Sequence, residues 1–148
     1  MTEVTQQIDE VRSSAEAMHA AEKETIGTAS LGDVVRQGDL YLVCLDDDPK
    51  GEETTERQLA PGSTQGSRHV ATGRCTIIIA DRVEVADAIN RLIKGAGILP
   101  ELVGPVVRCL GDVTITHPEH GDKVLPAKSV WTVVYQRHYA DEVRRVLD

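Results

Sequence analysis

Two short stretches carry the residues from which chemistry could be built: Gly66-Ser67-Arg68-His69 and Ile115-Thr116-His117-Pro118-Glu119-His120. Imidazole is the commonest transition-metal ligand, and it titrates nearest neutral pH. His117 and His120 stand three apart across a proline turn. With His69 from the other stretch they would supply three donors, each needed about 2.0–2.1 Å from a bound ion. A divalent transition metal is the cofactor such a set would take, and Glu119 would be a fourth ligand or a base on bound water. The spacing is not HExxH, in which one helix face carries both rings.

Two other chemistries use the first stretch. Ser67 and His69 are two apart, so an extended chain turns both to one side, as a serine nucleophile and its base require. The surroundings are not the GxSxG elbow between strand and helix. Arg68, with glycine amides beside it, would instead hold a phosphate or carboxylate. The catalytic candidates are therefore Ser67, His69 and Glu119, the metal candidates His69, His117 and His120. A structural reading competes with all of these. If the strand through Ile115 continues, His117 shares the face of Val113 and Ile115. It is then a core-edge histidine hydrogen-bonded to a backbone carbonyl, with Pro118 forming the turn and Glu119 in water.

These residues must be positioned by a β-rich framework. The chain has 148 residues and no Phe, so Val, Ile and Leu must build its core. "LYLVCL" (40–45) reads as a strand after a Gly38-Asp39 turn, and "RCTIIIA" (74–80) as a strand buried on both faces. Asp81 caps a helix over about 83–94 whose apolar face is Val85, Ala88, Ile89, Leu92 and Ile93. "VVRCL" and "DVTIT" read as two strands parted by a hairpin or bulge at Gly111. Pro126 suggests an edge or corner, and Trp131, Val133 and Tyr135 share a strand face that Arg137 continues. Residues 46–57, dense in charge with Pro and Gly, read as a loop, and 140–147 as a short terminal helix. The fold expected is α+β: a small, mostly antiparallel sheet or barrel (35–148) with one packed helix. An amphipathic helix and linker (1–34) are added to it.

That added helix, about 3–24, carries Val4, Ile8, Val11, Ala15 and Met18 in one stripe. It is either docked on its own domain or used for self-association or a protein partner. Residues 1–34 and 35–56 each hold seven acids against two bases, and 57–148 hold ten against twelve. Without a basic footprint nucleic acid is not the expected partner, Arg137-His138 being only a local spot. No apolar run reaches the roughly 18–20 residues of a membrane span, and the N-terminus lacks a secretory signal, so a cytoplasmic location is expected. Cys44, Cys75 and Cys109 each lie in an apolar run and read as buried, reduced thiols.

The stretches "RQGDLYLV" (36–43), "LAPGSTQGSRHV" (59–70), "LVGPVV" (102–107) and the run from Ile115 to Asp148 resemble a family of small, mostly uncharacterised bacterial β-rich proteins. Its members share QGDxxL, a glycine-histidine loop and THxEHxxxxLPxxxYxVxxQRxY. The resemblance spans about 35–148 and leaves out the N-terminal helix. It marks Gly66, Ser67, Arg68, His69, His117, Glu119, His120, Gln136 and Arg137. Where many members have Gly-His-x-His this chain has Gly66-Ser67-Arg68-His69, one imidazole fewer. The ligand-binding candidates are Arg68, His69, His117, His120 and Arg137. Two functions follow as expectations. One is a binding or assembly module, without catalysis, acting through protein partners or self-association. The other is a ligand or divalent-metal site, hydrolytic if it is catalytic, made by the GSRH loop and the HPEH turn.

Overall fold

In the computed structural model, Met18 and residues 28–45 and 49–136 are described. The strands are β1 Val34–Gln37, β2 Leu40–Leu45, β3 Gly51–Thr54, β4 Val70–Ala80, β5 Val103–Thr116, β6 Lys123–Leu125 and β7 Val130–Tyr135. One helix, α1 Arg82–Leu92, follows β4. The sheet order is β1-β2-β7-β5-β4-β3, with β6 added to β5, and every pairing is antiparallel. The sheet is open, so of the two expected architectures, sheet or barrel, the open sheet is found.

All six residues of β2 are buried because both faces of the sheet are covered there. Leu40, Leu42 and Cys44 join Trp131, Val133, Ile77 and Ile115 in one cluster. Tyr41, Val43 and Leu45 join Val106, Val134 and the helix residues Val85, Ala86 and Ile89 in the other. Helix α1 is capped as its sequence predicts: Glu84 N–H donates to Asp81 Oδ1 at 3.0 Å, and Gly95 takes a positive φ beyond its end. Ala88 and Leu92, expected on the helix face, are only half-buried, while Ala86 is in the core. Among the described residues no α-helix covers the first cluster. The segment 57–69 crosses it instead, with Leu59 and Ala60 buried and Tyr135 donating from its hydroxyl to the Leu59 carbonyl at 2.8 Å.

Three expectations are corrected. Residues 51–54 form an edge strand rather than loop, because Gly51 to Thr54 pair with Ala80 to Ile77 despite their polar side chains. An exposed edge needs no apolar residues, so the pairing left no mark in the hydropathy. Residues 103–116 are one strand, not two parted at Gly111. The irregularity lies opposite, between Gly73 and Cys75 of β4, where Gly73 has φ 116° and a Cβ would stand 2.6 Å from the Asp112 carbonyl oxygen. Strand β4 also begins four residues earlier than its apolar run, at Val70.

The expected terminal helix over 140–147, Arg137, and residues 46–48 lie outside the described residues. So does the expected helix 3–24 except for Met18, which is helical and 2% exposed within the second cluster. No helix among the described residues is long and apolar enough to cross a membrane.

A histidine stack at the open corner of the sheet

Strand register brings the two sequence motifs together. Val70 pairs with Thr116 where β4 begins and β5 ends. Continuing the antiparallel ladder by one residue sets His69 opposite His117. Both side chains follow the face of Ala71 and Ile115, whose residues lie in the first cluster. His69 and His117 are accordingly buried, at 1% and 8% exposure. Their ring centroids are 4.3 Å apart, and His120 adds a third ring 4.7 Å from His117, so the three imidazoles form a tilted stack. His120, at the end of this stack, is exposed.

Hydrogen bonds fix the inner rings. Gln37, fully buried at the end of β1, donates through Nε2 to the carbonyls of Ile115 at 2.8 Å and Gly121 at 3.0 Å. With both amide hydrogens used, Oε1 must accept, and its partner at 2.9 Å is His69 Nδ1. His69 is therefore the Nδ1–H tautomer. For His117 the assignment reverses. Glu119 N–H donates to His117 Nδ1 at 3.0 Å, so His117 Nε2–H donates to the Gly66 carbonyl at 3.1 Å. The bland sequence reading of His117, a core-edge histidine on a backbone carbonyl, describes this geometry. Gln37 does more than orient a ring. It ties the edge strand β1 to the end of β5 and the turn at Gly121, across the side on which the sheet stays open.

Charge is disfavoured inside the stack. His69 is lowered to about 4, first by burial and then by the neighbouring rings of His117 and His120, with the Gly66 carbonyl opposing. His69, at the buried end of the stack, is thus neutral at pH 7.

The remaining candidates are distributed around this core. Ser67 is buried in a 3-10 turn, and its hydroxyl shares a hydrogen bond of 3.1 Å with Thr64 Oγ1. Arg68 and Glu119 are exposed. The expected three-imidazole set, His69, His117 and His120, lies together in this stack. His117 has both ring nitrogens engaged, and neighbouring rings are tilted by 40° and 38° to one another. No group of three or more His, Cys, Asp or Glu among the described residues is arranged to hold a metal ion.

Sequence reasoning missed two residues. Gln37 is a polar residue closing the apolar run of β1, a signal legible as a buried hydrogen-bonding group. Gly38 was read as a turn former only. It has φ 59°, and a Cβ there would stand 2.6 Å from His120 Cδ2 and Nε2. Gly38→Ala is expected to cost about 1–2 kcal/mol, combining left-handed backbone strain with displacement of the ring. Urea unfolding checks this, and the cost should shrink in a His120→Ala background. An equal cost in both backgrounds would show that the ring contact contributes nothing.

No family model, no curated protein and no solved structure matches the chain.

Proposed function

We propose that the chain is a small non-enzymatic binding domain whose ligand site is the outer end of the histidine stack, around His120, Arg68 and Glu119. The observation that carries this reading is the meeting of the GSRH loop and the HPEH turn in a stack with a locked inner end and an exposed outer ring. A rigid, hydrogen-bonded base under an exposed imidazole is a preorganised recognition element. The exposed residues adjoining it in the chain carry both signs: Arg68 on one loop, Asp39, Glu119 and Asp122 on the others. That mixture suits a small polar ligand with both donor and acceptor groups.

Binding is favoured over acid–base catalysis because His69 is nearly inaccessible and a weak base, while His117 spends both nitrogens on the backbone. Recognition at this corner is favoured over recognition by the 3–24 stretch. Met18, on that stretch's apolar stripe, is turned into the domain's own core. The sequence resemblance marks the same corner residues.

The test uses a panel of probes at pH 7: glycine, acetate, methylammonium, inorganic phosphate and zinc chloride. The His120 ring resonances are followed by NMR. Glycine or another probe bearing polar groups should shift His120 and Arg68 and leave the Trp131 indole unmoved. At ten times Kd the ligand should add about 1.4 kcal/mol of stability, lost in His120→Ala and Arg68→Ala. If none of the five probes moves the His120 resonances, the reading fails.

A further inference from the structure

The three cysteines lie in one core cluster, and none is in a disulfide. Two of them, Cys75 on β4 and Cys109 on β5, are direct partners in the ladder. The backbone of Cys109 shows which kind of pair this is. Its N–H donates to the Ser129 carbonyl and its carbonyl accepts from Lys128 N–H, both at 2.9 Å and both on the side away from β4. Towards β4 it therefore makes no ladder bonds, so Cys75 and Cys109 form a non-hydrogen-bonded antiparallel pair. Such pairs hold their Cα atoms about 4.5 Å apart with the side chains at their closest. That separation falls in the range of about 4.4–6.8 Å that a disulfide spans.

A third group distinguishes the two thiols. Arg57 Nη1 lies 2.6 Å from Cys75 Sγ and 3.4 Å from the Cys75 carbonyl. Among the described residues no cation faces Cys109, whose thiol is pushed up to about 11, chiefly by burial. Cys75 is also nearer to solvent, at 8% exposure against 2%. The guanidinium thus stands against the Cys75 sulfur and not the Cys109 sulfur, and a neighbouring cation favours the reactive thiolate form of a cysteine.

We propose that Cys75 and Cys109 are a peroxide-responsive thiol pair, with Arg57 positioning and activating Cys75 and Cys109 resolving the product. The steps balance. The Cys75 thiolate attacks the terminal oxygen of a hydroperoxide, ROOH; the O–O bond breaks, Cys75 becomes the sulfenic acid, and the departing alkoxide takes up the proton the Cys75 thiol had given to water, leaving as an alcohol, or as water from hydrogen peroxide. The sulfenic acid so formed is attacked by Cys109 sulfur, the S–S bond forms, and the hydroxyl leaves with the Cys109 proton as a second water. The peroxide is reduced by two electrons, and the two thiols are oxidised to one disulfide. The product staples β4 to β5 in their existing register, so no strand need move.

The full chain is treated with hydrogen peroxide, its remaining thiols are alkylated with iodoacetamide, and its peptides are identified by mass spectrometry. A Cys75–Cys109 linked peptide with Cys44 alkylated is expected. In Cys109→Ala, Cys75 should instead accumulate as a sulfenic acid captured by dimedone. Cys109→Ser serves the same purpose if the alanine variant does not fold. Arg57→Gln should slow the oxidation on the order of tenfold at fixed pH. Linkage through Cys44, or alkylation of Cys75 and Cys109 undiminished by the peroxide, overturns the proposal. So does oxidation of the Arg57→Gln chain as fast as the parent.

Discussion

Replacing Gln37 by leucine should cost about 3–5 kcal/mol, the largest effect expected of any single polar residue in this chain. Gln37 is 0% exposed, and its amide serves three partners: the Ile115 and Gly121 carbonyls and His69 Nδ1–H. Leucine fills nearly the same volume, so little of the loss comes from packing. What remains is the buried Ile115 carbonyl and the buried His69 N–H without partners, each worth roughly 1–3 kcal/mol, and the carbonyl of exposed Gly121, which water can satisfy at less cost. Two further consequences separate this from general loosening. The Nδ1–H tautomer of His69 loses its reason, and the edge strand β1 loses its tie to β5. Chemical unfolding gives the free energy, and exchange of the β1 amides, faster than those of β7, gives the second signature. A cost below 1 kcal/mol would mean that Gln37 does not hold the corner.

The second large effect is acid destabilisation. His69 titrates near 4 in the folded chain and near 6.5 unfolded. Above pH 6.5 both states are neutral at this residue, and its contribution is complete and constant. Between 6.5 and 4 the unfolded chain binds a proton that the folded chain refuses, so folding weakens as pH falls. Below about 4 both states are protonated and the loss levels off. The full difference corresponds to roughly 3 kcal/mol. Carboxylates titrate in the same window, so the quantity to measure is the parent's pH profile minus that of His69→Gln. The parent should lose stability more steeply between pH 6.5 and 4. Parallel profiles would show that His69 is not held neutral.

Much of this framework was legible in the residues. Strands β2 and β7 and the helix after Asp81 announce themselves because both faces of the sheet are buried there and the cap is a local signal; β4, expected to be buried on both faces over 74–80, instead leaves Arg74 and Ile79 exposed. The meeting of His69 with His117 was posed as a geometric requirement of the sequence. It is fulfilled because Val70 and Thr116 are ladder partners. Register is a property of pairing between strands 46 positions apart, and no local pattern encodes it. For the same reason β3 was read as loop. Its polar side chains face water at an edge, while its backbone finds Ile77 to Ala80. The continuity of β5 through Gly111 was misread because a glycine marks irregularity without saying which strand takes it, and here Gly73 opposite does. The orientation of the candidate metal set was not legible at all. Residue types and spacing brought three imidazoles together, but their orientation was decided by Gln37, Gly66 and the Glu119 amide. Two of those three partners are backbone groups, which sequence does not distinguish.

The most direct measurement is the long-range proton–nitrogen NMR spectrum of the histidine side chains, recorded from pH 7.5 down to 3.5. The account predicts that His69 carries its proton on Nδ1 and His117 on Nε2, and that His69 stays neutral until about pH 4. A His69 ring that titrates near 6.5, or the opposite tautomer on either ring, would contradict it.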